Sequence, residues 1–125
     1  MISSEHEIQA TFVAWARLRE RQEPRLRLLF AIPNSARTAR SVSKRLKAEG
    51  MTAGVWDMFL PVPSRSGASG LWIEFKSAEG KLSLAQRWFG EEMRLMGFET
   101  VVCRSVEEAI AAVNNHLGTR LEGVQ

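Results

Sequence analysis

The chain has 125 residues, of which 45% are hydrophobic and 25% charged, with a formal net charge of +3. That length and hydrophobic share fit one domain with a core of its own and exclude a disordered tail. No apolar run approaches the roughly 18–20 residues of a membrane span, and the polar, acidic start Met1-Ile2-Ser3-Ser4-Glu5-His6-Glu7 is unlike a signal peptide, so a cytoplasmic protein with no membrane partner is expected.

Ser4-x-x-Glu7 has the form of a capping box and opens a first helix that buries Ile8, Phe12, Trp15 and Ala16. Pro24 ends this region. Leu28–Ile32 reads as a short buried strand before a Pro33-Asn34 turn. The segment from Ser35 to Glu49 predicts a basic helix with Ala39, Val42 and Leu46 inward, stopped by Gly50. Arg37, Arg40, Lys44, Arg45 and Lys47 stand there against one acid, Glu49. A solvated helix face is the plain reading of such a run, but this excess of one sign favours contact with phosphates. Gly54 opens the apolar strand Val55–Leu60, closed by Pro61 and Pro63, and the polar loop Ser64–Gly70 leads to a strand over Leu71–Ser77. Ser83-x-x-Gln86 caps a helix that runs to about Met96 and stops at Gly97. Phe98–Cys103 is a strand. Cys103, the sole cysteine, excludes an internal disulfide and is expected to be buried within it. Ser105-x-x-Glu108 caps the last helix, with Val106, Ala109, Ile110, Val113 and Leu117 inside and Gly118 as its stop, and Thr119–Gln125 reads as a frayed tail. One domain over residues 1–118 is therefore expected, an α/β fold with a small mixed sheet covered by helices.

The informative strand is Leu71-Trp72-Ile73-Glu74-Phe75-Lys76. Alternation puts Leu71, Ile73 and Phe75 on the core face and Glu74 with Lys76 on the other. An ion pair on an edge strand would explain the two charges, but Asp57 also stands alone among apolar residues in the preceding strand. If the two strands pair, Asp57 and Glu74 come side by side, where they repel unless a cation lies between them. Hard oxygen ligands of this kind suit Mg²⁺ or Mn²⁺. Glu5 shares the helix face of Ile8, Gln9 and Phe12, and both an inward carboxylate and a favourable charge at a helix N-terminus fit it. His6 and His116 lie near helix ends with no apparent partner and read as surface residues.

Glu5-x-x-x-Gln9, Ile32-Pro33-Asn34, Gly50-x-x-x-Gly54-Val55-x-Asp57, Gly70-Leu71-Trp72-Ile73-Glu74-x-Lys76 and Leu84-x-Gln86 follow one another in this order. Together they resemble the PD-(D/E)XK nuclease signature in its VRR-NUC branch, from about Glu5 to Leu117. The resemblance implies a restriction-endonuclease-like core and a metal-dependent endonuclease acting on DNA. By it, Asp57 and Glu74 are metal ligands, helped by the backbone carbonyl of Phe75, and Glu5 binds the metal directly or through water. Lys76 orients the attacking water or steadies charge in the transition state, and Gln86 supports the lysine side of the site, although a glutamine in a capping box needs no further role. Asn34 joins Arg37, Arg40, Lys44, Arg45 and Lys47 as an expected DNA contact. Where the family carries proline before the aspartate, this chain has Trp56, which is expected to fill core space or line the DNA groove.

A chain of this size with one active site cuts one strand per visit, whereas a two-fold dimer supplies two sites at a fixed separation. The resemblance to stand-alone family members implies such a homodimer on branched DNA, specifically four-way junctions. Among Trp15, Trp56, Trp72 and Trp88, at least one is expected at an interface, with stacking on an unpaired base near the cut the alternative for Trp72, which shares the Glu74 face. The alternatives are a monomeric nickase of flaps or single strands and a non-catalytic nucleic-acid-binding module, the latter disfavoured because Asp57, Glu74 and Lys76 are all present. An enzyme for small phosphorylated substrates lacks the glycine-rich phosphate loop it would need.

Overall fold

A computed structural model describes residues 4–33 and 40–124. Its elements are α1 (Glu5–Arg19), a 3₁₀ turn (Pro24–Leu28), β1 (Phe30–Ala31), α2 (Arg40–Ala48), β2 (Met58–Leu60), β3 (Leu71–Phe75), α3 (Leu84–Leu95), β4 (Glu99–Cys103) and α4 (Val106–Leu117). The order of helices and strands is the one expected. The strands form a mixed four-stranded sheet in the order β1-β2-β3-β4, in which β1, β2 and β3 pair antiparallel and β4 runs parallel to β3.

The helices begin where short polar side chains satisfy the first free amides. Ser4 and Ser83 each form a complete capping box, with Glu7 and Gln86 returning a bond to the cap backbone. The third cap is half of one. Ser105 accepts from Glu108 N, but the Glu108 carboxylate turns to Arg104 N instead of the cap amide. α3 and α4 stop at Gly97 and Gly118, both at positive φ, as expected of glycines that terminate helices.

Three layers result. On one face of the sheet, Met58, Leu60, Leu71, Ile73, Phe75 and Cys103 pack against Ile8, Phe12, Trp15 and Ala16 of α1 and Ala109, Ile110, Val113 and Leu117 of α4. Cys103 is buried, as expected, and burial pushes its thiol up to about 12, which leaves it inert. On the other face α3 covers the sheet. Trp72 stacks on Phe59 at 4.3 Å and meets the edge of Phe89 at 5.0 Å. Phe59 thus takes one face of the ring that a stacked base would use.

Several expectations change. β1 is a two-residue edge strand with both side chains exposed, and Pro24 opens a 3₁₀ turn instead of ending structure. α2 buries none of its residues: Val42 and Leu46 are half-buried, and Ala39 lies outside the described residues. His116 is fully buried, with Nε2 donating to Val62 O at 2.6 Å and Nδ1 bonded to Glu99 Oε1 at 2.5 Å. A carbonyl accepts only, so this imidazole must carry hydrogen on Nε2. The segment after Gly118 is held down. Asn114 bonds Leu121 N and O, Trp15 Nε1 donates to Glu122 O, and Arg19 donates to Glu122 O and Gly123 O.

Candidate active site

Met58 lies opposite Ile73, which makes Asp57 and Glu74 the next facing pair in register. There the ladder between β2 and β3 changes its chemistry. Asp57 N donates to Glu74 Oε1 at 3.1 Å, and Phe75 N donates to Asp57 Oδ2 at 2.8 Å. Each carboxylate takes the place of a backbone carbonyl on the neighbouring strand. The regular strand therefore begins at Met58 rather than Val55, and the end of the ladder becomes a site.

Glu74 is almost wholly buried on the central strand β3, so its pairing with Lys76 is not an edge-strand ion pair. Its Oε2 accepts from Gln86 Nε2 at 2.9 Å and faces Lys76 Nζ at 3.4 Å. Gln86 makes two contacts at once. Its Oε1 caps α3 through Ser83 N while its amide holds Glu74. Burial, reinforced by the Asp57 charge, pushes Glu74 up to about 7. Burial also raises Asp57, with Glu5 acting in the same direction, against the Phe75 amide and the Lys76 ammonium that favour its ionised form.

These groups form the floor of a cleft of about 820 Å³ lined by Glu5, Gln9, Ile32, Pro33, Gly54, Asp57, Glu74, Lys76 and Gln86, among others. The cleft thus gathers residues from every segment of the motif series in the sequence. His6 also borders it and is exposed, as expected. Among the described residues no three His, Cys, Asp or Glu side chains form a ready-made metal cage. Asp57 and Glu74 are a pair, and Glu5 borders the same cleft. The donor set fits a hard divalent cation, because a buried carboxylate held off ionisation until about pH 7 and the half-buried carboxylate beside it gain from a positive charge between them.

A family model for the VRR-NUC domain matches residues 1–107. The chain belongs to the VRR-NUC family. It is thereby a member of the PD-(D/E)XK superfamily, whose nuclease fold the VRR-NUC domain shares. A solved structure described as a VRR_NUC domain protein matches with a TM-score of 0.75 over 93% of this chain and 89% of its own, at 21% identity, which shows the same fold. No curated protein sequence matches the chain.

The VRR-NUC cleft depends on residues whose purpose sequence alone does not show. Trp56, in place of the family's proline, is buried. Its Nε1 donates to Gln86 O at 2.8 Å, and its ring occupies the space that a Cβ at Gly90 would need, 2.5 Å from the ring's Cζ2. It fills space beneath α3 and does not line the groove. Gly54 has φ +87°, and a Cβ there would lie 2.5 Å from the Ala85 backbone. The segment leading to Asp57 can pass beneath the first turn of α3 only as glycine. Of the expected DNA contacts, Asn34 and Arg37 lie outside the described residues. Arg40, Lys44, Arg45 and Lys47 are exposed on α2, and none of them lines the cleft.

Proposed function

We propose that the chain is a metal-dependent endonuclease that hydrolyses phosphodiester bonds in DNA. The observation that carries this reading is the pair of half-buried Asp57 and buried Glu74, each accepting from a backbone amide, with Lys76 and Gln86 in contact in an open cleft. Asp57 and Glu74, with the backbone carbonyl of Phe75 and Glu5, would hold Mg²⁺ or Mn²⁺. When bound, such an ion supplies Lewis acidity toward the scissile phosphate and neutralises part of its charge.

The chain's own groups do the rest. Asp57 N and Gln86 Nε2 each hold one oxygen of Glu74, so its carboxylate cannot rotate away. Lys76, nearly buried and tethered to Glu74, places fixed positive charge where the phosphoryl oxygens gain negative charge. α2 presents Arg40, Lys44 and Lys47 at spacings of four and three, one exposed stripe suited to a phosphate backbone.

The substrate proposed is branched DNA, cut by a homodimer at four-way junctions. Supporting the dimer, α3 turns an apolar stripe outward. Leu84, Trp88 and Leu95 are 82%, 58% and 74% exposed, and Trp88 is the one tryptophan of four that the fold leaves uncovered.

The test is cleavage of linear, nicked, flapped and four-way DNA with Mg²⁺, Mn²⁺ or EDTA, alongside light scattering. Paired symmetric nicks in junctions and twice the 14.0 kDa chain mass are expected. Cutting of one flap arm by a species of single mass would establish the monomeric nickase, full activity in EDTA would remove the metal, and DNA binding without cleavage would leave a binding module. Asp57→Asn, Glu74→Gln and Lys76→Ala should each lower cleavage at least about 100-fold while the folded circular dichroism spectrum is retained.

A further inference from the structure

Arg104 follows β4 directly and lies outside the cleft. β4 is parallel to β3 with Cys103 beside Phe75, and one further rung, Lys76 N to Cys103 O at 3.0 Å, brings Arg104 alongside the residues after Lys76. There its Nη1 donates to Ser77 O at 2.7 Å and to Gly80 O at 2.6 Å, with Ala78 O at 3.4 Å. The segment is a tight turn closed by Gly80 N to Ser77 O at 3.1 Å. Carbonyl oxygens gathered on one side of a turn repel one another unless a cation lies among them, and the guanidinium supplies that charge with two donors on one nitrogen. The base of Arg104 is anchored in turn, since its own N–H donates to Glu108 Oε1 at 3.2 Å in the first turn of α4.

The far contact of this turn is an acid of the cleft. A Cβ on Gly80 would lie 3.3 Å from Glu5 Oε2 and 3.2 Å from Ser77 Oγ, so the Glu5 carboxylate stands beside the turn, close enough that an added methyl would press on it. The turn therefore sits between Arg104 and Glu5, and its chain enters it directly from Lys76.

We infer that Arg104 is a positioning residue of this cleft: by gathering the carbonyls of the Ser77–Gly80 turn, it sets where the Glu5 carboxylate stands relative to the Asp57–Glu74 pair. The inference rests on the nuclease reading for its consequence in cleavage, but it also concerns the binding of a cation, which can be measured without DNA. An exposed arginine on a surface turn would ordinarily be dispensable. This one acts because the turn it closes stands beside a cleft acid.

The experiment uses the full chain and the variants Arg104→Ala, Arg104→Lys and Glu5→Gln, with Arg104→Ala also placed in the Glu5→Gln background. Calorimetric titration with Mn²⁺ alone reads cation affinity, and single-turnover cleavage with Mg²⁺ reads the rate. Arg104→Ala is expected to weaken Mn²⁺ binding and slow cleavage roughly 10–100-fold, the range found when the support of a metal ligand is removed, with affinity for DNA unchanged. Arg104→Lys should restore most of both, because an ammonium can still bridge two carbonyls. In the Glu5→Gln background the alanine change should cost no more than about twofold. Mn²⁺ affinity within about twofold of wild type in Arg104→Ala would overturn the inference. So would an equal loss in both backgrounds, which would detach Arg104 from Glu5. Weaker DNA binding with a shallower salt dependence would likewise overturn it and make Arg104 a phosphate contact. If Arg104→Ala does not fold, Arg104→Lys and Arg104→Gln take its place, with the lysine variant expected to exceed the glutamine variant in Mn²⁺ affinity and equality overturning the inference. If the wild type binds Mn²⁺ yet cuts no DNA, the nuclease reading fails while the Mn²⁺ arm still tests Arg104.

Discussion

At Glu74 a single side chain meets a carboxylate, an ammonium, an amide and a backbone N–H at once. Its carboxyl ionises at about 7 in the fold, against an ordinary value of 4.5. Between these values the folded chain holds a proton that the unfolded chain has released. The associated stability is complete below about pH 4.5, is lost as pH rises toward 7, and stays lost above it. Glu74→Gln keeps the shape of the side chain and cannot ionise. In EDTA at pH 8 it should be more stable than wild type by on the order of 1–3 kcal/mol, with little gain at pH 4. Urea unfolding at the two pH values checks this, and a variant no more stable at pH 8 would show that the pair carries little strain without metal. Glu74 and Lys76 were legible in the sequence because alternation along a strand assigns faces. The hydrogen bonds of His116 were not, since its partners Glu99 and Val62 are distant along the chain.

Elements contribute by where they end. β2 yields to Asp57 where side-chain oxygens replace the ladder, and α3 starts where Gln86 serves both cap and carboxylate. Gly54 lets these two ends approach. Gly54→Ala combines a positive φ with backbone overlap at Ala85 and should cost at least on the order of 1–3 kcal/mol. It should also lower cleavage by displacing Gln86. A thermal melt and a cleavage assay check both, and a variant with unchanged melting temperature would mean that the α3 terminus yields freely. α2 is the opposite case, an amphipathic helix with no buried residue. Its exposed basic stripe is available for DNA. Changing Arg40, Lys44 and Lys47 together to glutamine should weaken binding to all sequences alike and reduce the salt slope by about 0.9 per lost phosphate contact. An unchanged slope would place α2 away from the DNA.

For the whole molecule, the C-terminal segment returns to α1 and α4. Trp15 and Asn114 hold residues 121 and 122 by three hydrogen bonds. Truncation after Gly118 should therefore cost roughly 2–4 kcal/mol, at about 1 kcal/mol per net hydrogen bond plus the packing of Leu121. Urea unfolding measures this, and a neutral truncation would restore the picture of a frayed tail. The uncovered stripe of Leu84, Trp88 and Leu95 is the outward counterpart of this docking. It is the surface that the proposed dimer would use.

Local rules sufficed for the order of the elements, the capped starts of α1 and α3, the glycine stops of α3 and α4, and the core faces of α1, β3 and α4, because each follows from a period or from neighbours a few residues apart. Trp56 admitted two readings along the chain, and only its contact with Gly90 on another element chose between them. Gln86 likewise looked complete as a cap until β3 brought Glu74 to its amide. The exposure of β1, the burial of His116, the docking of the C-terminal segment and the turn held by Arg104 all rest on partners far apart in sequence. Such contacts leave no periodic trace, since they depend on how whole elements pack and not on the residues adjacent in the chain.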